Sequence, residues 1–385
     1  MDDIIKITLY IFMLVIVFIF SNFLSKNKKF AFLKQRDNRY GSIDGLRGYL
    51  AISVFVHHFM LTWYWKNTGH WYRPQELYFQ NIGLIGVMLF FMITGFLFTS
   101  KLIKDKGKTN WLKLYKSRFF RIYPLYLFAI VLISMVVFFY SKEPIKDYTL
   151  LINQYFKWLI FHGENIHTHT HTPLIIAGVD WSLKYEWLFY LFLPILAIFL
   201  KFNRWFLLII SLFAISFFLN DYKIYTVTTI HFIYFIIGAI TSFLYTKKEF
   251  FKDFINLPVV TVIILFLLGK AIFVENIYYK NAYYFTPMVY VSIFFIAIAL
   301  GNDLFGLLKH KASIFLGEIS YSIYLLHGFI IYLAFTTFEI IDLREISSIE
   351  HTLMLPILAI FVVIFSTFTY TYIEAPAIAY GKKSN

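Results

Sequence analysis

The sequence predicts an all-α, polytopic transmembrane helical bundle of about eleven spans, with the N-terminus outside and the C-terminus cytoplasmic. Three observations carry this. Of 385 residues, 59% are hydrophobic and only 15% are charged, against about 25% charged in ordinary soluble domains. Apolar runs of roughly 20 residues, the length that crosses about 30 Å of hydrocarbon, recur along the whole chain. Lysine and arginine collect in alternate connecting segments, as the positive-inside rule requires.

The spans are read near 5–24, 46–65, 81–101, 121–140, 181–200, 204–219, 226–245, 257–275, 282–300, 313–336 and 352–373. With the N-terminus outside, the inner segments 25–47, 101–121, 201–204, 246–256, 301–312 and 374–385 hold 24 of the 35 Lys and Arg residues. The net charge of +13 therefore belongs mainly to a cytoplasmic face. Its ordinary partner is anionic lipid, and no nucleic acid is expected. The chain has no cysteine, which removes thiolate metal sites, cysteine nucleophiles and disulfides. The 47 Phe and 29 Tyr suit lipid-facing and interfacial positions.

Residues 1–42 read as an extra N-terminal transmembrane helix followed by the basic linker SKNKKFAFLKQRDNR; the start MDDIIK is more acidic than basic, and no A-x-A pattern marks a cleaved signal. Residues 43–385 read as one ten-span domain. The longest outer loop is about 141–180, with a short surface helix expected around Leu150–Phe161.

Ionisable groups inside lipid are costly and serve as functional hypotheses. In IDGLRGYLAISVFVHHF, residues 43–59, Arg47 and His58 are eleven positions apart. At 100° per residue they share a helix face, with a rise of roughly 16 Å between them. Asp44 lies within about 40° of that face. This places an imidazole, which can accept a proton near neutral pH, near mid-membrane and a guanidinium at the cytoplasmic rim. A core histidine satisfied by a neighbouring helix fits the same pattern. His57 points about 100° away and reads as packing or outer lining.

In RFFRIYP, Arg118 and Arg121 are helix neighbours followed by Tyr123 and Pro124. Two guanidiniums at a cytoplasmic edge can clamp phosphate, or simply anchor the helix. Lys101, Lys113 and Lys116 add field without specificity. In DWSLKYEWLFYLFLP, Asp180 and Trp181 mark the outer interface, and Glu186 lies roughly 9 Å deeper. Glu186 could orient His58, hold an acceptor hydroxyl, or make an internal contact. In LGEISYSIYLLHGFI, Ser320 and His327 share a face, and Tyr321, Tyr324 and His327 can line a hydroxyl-rich pocket or hydrogen-bond between helices. Glu374 could pair with a rim arginine. HGENIHTHTHTP offers His162, His167, His169 and His171 in an extended, solvated segment.

Taken in order, these segments resemble the acyltransferase 3 family of integral-membrane O-acyltransferases. The resemblance runs from about residue 43 to 378. Arg47 and His58 match its leading Arg-x₁₀-His helix; GVMLFFMITGFLFT, RFFRIYPLY, WSLKYEWLFYLFLP, LGEISYSIYLLHGF and Glu374-Ala-Pro376 resemble its later signatures. It implies transfer of an acyl group, often acetyl, from acyl-CoA (acetyl-CoA) on the cytoplasmic side to a hydroxyl, commonly of a surface polysaccharide or lipid-linked saccharide, in the inner (cytoplasmic) membrane. His58 would be the base, with Arg47 and Glu186 catalytic. Arg118, Arg121 and Tyr123 would hold the donor. Trp181, Ser320, Tyr324 and His327 would face substrate, and Tyr324, Trp181 or Ser320 could supply the oxyanion donor. No metal is required. The family usually has ten spans, and some members carry a C-terminal hydrolase-like domain; its absence here predicts a stand-alone transferase. Many members have an acid where this sequence has Met88, so Glu186, a tyrosine or a backbone carbonyl would have to orient His58. Self-association is left open. A transporter or flippase of a glycan intermediate would use the same buried charges, and a scaffold of a glycan-assembly complex would leave them dispensable.

Overall fold

The computed structural model describes residues 2–30, 40–141, 143–200, 214, 223–224, 227–274 and 285–383. It is helical apart from a two-residue antiparallel pair, β1 (Lys223–Ile224) and β2 (Val227–Thr228). The helices are α1 (Asp2–Ser25), α2 (Gly41–Thr68), α3 (Leu77–Asp105), α4 (Trp111–Tyr140), α5 (Tyr148–Leu159) and α6 (Trp181–Phe199). They continue as α7 (His231–Tyr245), α8 (Lys248–Ile255), α9 (Pro258–Phe273), α10 (Phe285–Leu300), α11 (Lys311–Glu318) and α12 (Ser320–Tyr332). The last are α13 (Ser348–Leu353), α14 (Leu355–Thr369) and α15 (Ala375–Lys383).

Six helical segments among the described residues are long and apolar enough to cross a membrane, or seven if α8 and α9, bent by 87° at their junction, count as one. Their outward faces are apolar: Phe12, Ile19 and Phe23 on α1, Met135 and Phe139 on α4, and Phe361, Ile364 and Phe368 on α14 are all exposed. Such a belt is costly in water and natural in lipid. The chain is a multi-pass membrane protein. The expected 204–219 span lies outside the described residues.

α2 is a different kind of helix. It carries Asp44, Arg47, His57 and His58 and packs against α3, α11 and α12. Its composition is polar because protein rather than lipid surrounds it. The packing is close: a Cβ at Gly317 of α11 would strike the backbone carbonyl of Asp44. That approach fixes the Arg47 end of α2 against α11.

Two expected spans are present with irregular turns in them. The 313–336 run changes from α11 to α12 at Ile319 and ends in a π turn, Leu333–Thr337. The 352–373 run ends in a second π turn, Tyr370–Glu374. Such turns rotate the side chains that follow and are frequent at functional sites.

The 141–180 region holds the short surface helix expected around Leu150–Phe161, as α5. α5 is tied to α4 by Ser134 Oγ to Tyr155 Oη (2.7 Å) and by Tyr126 Oη to the Trp158 carbonyl (2.7 Å). Gln154 and Trp158 are buried, whereas Leu150, Ile152 and Phe156 are exposed. The chain then turns back through a 3₁₀ helix, Thr172–Ile176, packed against α12. Asp180, expected at an interface, is only 4% exposed and accepts from the Gly163 amide (2.9 Å).

Candidate active site

α2 and α12 bring two imidazoles together. His58 Nδ1 lies 2.9 Å from His327 Nε2, with the ring centroids 5.1 Å apart. His327 is fully buried, and its Nδ1 lies 2.9 Å from the Ile323 carbonyl one turn earlier. A carbonyl only accepts, so His327 Nδ1 carries the proton and its Nε2 carries the lone pair. His58 Nδ1–H must then be the donor to that lone pair. In a neutral His58 the Nε2 is then unprotonated. Trp71 stacks over the same ring, with centroids 6.1 Å apart and planes 11° from parallel.

This corrects the expected partner of His58. Met88 is buried and apolar, and Glu186 accepts from Tyr190 Oη at 2.8 Å. The orienting groups are neither Glu186 nor a tyrosine but His327, which stands between His58 and the Ile323 carbonyl, together with the Val54 carbonyl one turn before His58. His57 packs as expected: its Nδ1 meets the Phe79 carbonyl at 2.8 Å, and its ring occupies the space that a Cβ at Gly83 would need.

Toward the Arg47 end, Arg47, Glu186, Ser320 and Tyr324 converge from α2, α6 and α12 on one small cavity. Ser320 Oγ donates to the Gly317 carbonyl (2.7 Å) and Tyr324 Oη to Ser182 Oγ (2.7 Å). Neither His58 nor His327 lines this cavity; Tyr324, whose ring centroid is 6.4 Å from that of His327, stands between. The arginine Arg121 pairs with Glu374 at 2.8 Å, as expected of a rim arginine, and Ser322 Oγ donates to the other carboxylate oxygen at 3.0 Å. Arg47, Arg118 and Arg121 all act electrostatically on Glu186. Arg118 lies over the Phe98 ring, 5.2 Å from its centroid, and donates to Ser117 Oγ.

Two expected site residues lie elsewhere. Tyr123 turns away from the arginines, donating to the Leu159 carbonyl (3.2 Å) and stacking on Phe119. α5 offers it an acceptor on that side. Trp181 packs among Phe91, Tyr185 and His231 rather than at an interface.

Beyond the histidine pair, toward the Trp65 end, a small void lined by Thr62, Trp71 and Gly328 adjoins a cavity of about 370 Å³. Trp65, Tyr332 and Thr336 line both. The histidine tract forms part of this cavity and is not extended. His167 and His171 take left-handed conformations, with φ of 52° and 64°, and His169 Nε2 accepts from Tyr332 Oη at 3.3 Å. No cluster suited to a metal ion occurs among the described residues.

The acyltransferase domain model of the acyltransferase 3 family matches residues 40–373. The chain belongs to the acyltransferase 3 family. Among its relatives is the O-acetyltransferase OatA of Staphylococcus aureus strain NCTC 8325, 25% identical over 317 residues, which cover 74% of this chain and 49% of the relative. A second protein, described as a candidate O-acetyltransferase of S. aureus strain COL, is 24% identical across 91% of this chain and 59% of its own length. The chain thus spans about half the length of the curated relatives it matches. No solved structure matches it. The family match encloses Arg47, His58, Arg118, Arg121, Glu186 and His327 together; Glu374 falls one residue beyond it.

Proposed function

We propose that this acyltransferase 3 family member moves an acyl group, most simply acetyl, from acyl-CoA to a hydroxyl of a surface glycan or lipid-linked saccharide. The observation that carries the reading is the His58–His327–Ile323 relay, which leaves His58 Nε2 free to take a proton. The acceptor hydroxyl loses its proton to that nitrogen, and its oxygen attacks the thioester carbonyl. As the tetrahedral intermediate collapses, the carbon–sulfur bond breaks and the imidazolium returns the proton to the CoA sulfur. During the step His327 keeps its lone pair toward His58 Nδ1–H and so stabilises the imidazolium. It plays the part of the orienting acid in a Ser-His-Asp triad without adding a charge.

The donor enters from the Arg47 end. Arg47 and Arg118 offer positive charge to the CoA phosphates; Arg121 contributes to the field while bound to Glu374. The thioester reaches His58 past Tyr324. This assignment makes the Arg47 end cytoplasmic, in keeping with the basic inner segments of an eleven-span chain whose N-terminus is outside, its first span an addition to a ten-span domain.

The test uses the purified protein in detergent with acetyl-CoA and a candidate glycan. The wild type should release free thiol in step with acceptor acylation. His58→Ala should lose both by roughly 10²–10⁴-fold at matched expression. A His58→Ala protein with near-wild-type product sinks the proposal, and a wild type that moves glycan across vesicles without thiol release supports transport instead.

A further inference from the structure

The cavity at the Trp65 end has chemistry of its own. Its wall presents the aromatic rings of Trp65, Tyr140 and Tyr332. Trp65 and Tyr332 are stacked at 25°, centroids 6.5 Å apart, and Tyr140 Oη is tied to the Thr337 carbonyl at 3.0 Å, so these surfaces are held in place. Hydroxyls lie between the rings. The Thr336 hydroxyl lines both the cavity and the adjoining void and has no hydrogen-bond partner among the described residues.

Rigid aromatic faces with hydroxyls at their edges suit a sugar ring, whose C–H faces are apolar and whose rim is polar. Charge narrows the choice. Among the described residues, Lys66 is the one ammonium in the wall, and no carboxylate lines it. Its Nζ lies over the Trp65 ring, 5.3 Å from the centroid. Three other charged groups act on Lys66: Glu339, Asp342 and Arg344. Asp342 and Arg344 satisfy each other at 2.6 Å, and Glu339 stands outside the wall. A cation in the wall whose opposing carboxylates stand outside it, beside an aromatic platform, favours a sugar bearing a negative group.

Position supports the same use. The small void that shares Trp65, Tyr332 and Thr336 with the cavity also holds Trp71, whose ring lies parallel to that of His58 with centroids 6.1 Å apart. A sugar seated in the cavity would therefore be next in line to the proton-accepting nitrogen, on the opposite side from the arginines.

We infer that this cavity is the acceptor subsite and that it takes a sugar unit carrying a carboxylate or a phosphate. The inference rests on the acyl-transfer reading above and adds the place and charge of the acceptor. Isothermal titration of the purified full chain in detergent tests it with three probes of one ring: methyl glucoside, glucuronate and glucose 6-phosphate. At least one charged probe should bind ten-fold or more tightly than the neutral one, and which one does identifies the anion. Lys66→Ala should erase that preference while leaving methyl glucoside unchanged, and Tyr140→Ala should weaken all three. Equal binding of the three probes, or a preference that survives Lys66→Ala, overturns the inference. His58→Ala should bind the sugars as the wild type does. Retained sugar binding in a wild type that releases no thiol would remove the transfer reaction and leave the subsite standing.

Discussion

His58 and His327 are joined by a hydrogen bond whose direction is set by a third group, the Ile323 carbonyl, which lies four residues before His327 on the same helix. The carbonyl takes the only proton that a neutral His327 carries, so the lone pair that faces His58 is fixed. An apolar replacement should therefore lose the tautomer control, whereas an amide can imitate it by accepting from His58 and donating to Ile323. His327→Leu should lower kcat by roughly 10²-fold or more with little change in donor KM, and His327→Gln should recover part of the loss. Steady-state thiol release measured on both variants decides this; equal kcat values for the two would show that His327 only fills space.

Arg121 and Glu374 form a pair whose carboxylate side chain is fully buried while the guanidinium is 19% exposed. Removing the arginine alone leaves a buried carboxylate held only by Ser322 and the field of Arg47; breaking a buried pair in this way costs up to about 3–5 kcal/mol. Arg121→Ala should thus unfold earlier on heating in detergent, as well as raise the donor KM. The double variant Arg121→Ala/Glu374→Leu should regain much of the thermal stability but not the KM. A single variant as stable as the wild type would mean that the pair is solvated.

Gly83 faces the His57 ring on the neighbouring helix. A methyl group there must push α3 from α2 or turn the ring from the Phe79 carbonyl. Gly83→Ala should cost about 1–3 kcal/mol by overpacking, visible as a lower unfolding temperature. Because His57 adjoins His58, with centroids 5.0 Å apart, transfer activity should fall with it. Unchanged stability and activity would contradict the close approach.

His169, in the turn outside the spanning helices, is held neutral. Burial is the main cause of its lowered pKa, followed by the nearby His171. Its Nε2 also accepts from Tyr332 Oη, its Nδ1 lies 3.2 Å from Thr172 Oγ1, and the Tyr140 ring stands beside it. A depressed folded-state pKa leaves stability at its full value above the ordinary imidazole range. Stability then declines as the pH falls below that range toward the folded-state value, because the unfolded chain binds the proton more readily. Between pH 7.5 and 5 the wild type should lose more thermal stability than His169→Gln, which cannot titrate. Parallel losses would mean that the imidazole is solvated in the fold.

Much of this site was legible in one dimension. A period of 3.6 residues places Arg47 and His58 on one face of a helix, and an ionisable pair in an apolar run has few uses other than function. The resemblance to the acyltransferase 3 family rests on motifs that lie within single helices, so their order survives in the sequence. Trp71 and Thr336 gave no such signal: one lies in an aperiodic polar loop, the other in a π turn, where helical spacing fails. The resemblance groups Tyr123 with the arginines, but α5 offers it a carbonyl on the other side.

The sequence by itself determined that the chain spans a membrane, which helices carry charge, and that an imidazole lies about three turns from an arginine on one face. These follow from hydrophobic length and helical period, both local properties. The tertiary structure alone decided that His58 meets His327, 269 residues away, and that the histidine tract curls to wall a cavity. It also decided that Tyr123 and Tyr126 of α4 turn to carbonyls at the end of α5. Each depends on which helices lie side by side, and that is set by close approaches such as Gly317 on Asp44 and by the irregular turns at Ile319 and Tyr370–Glu374. No period within a single helix encodes those choices.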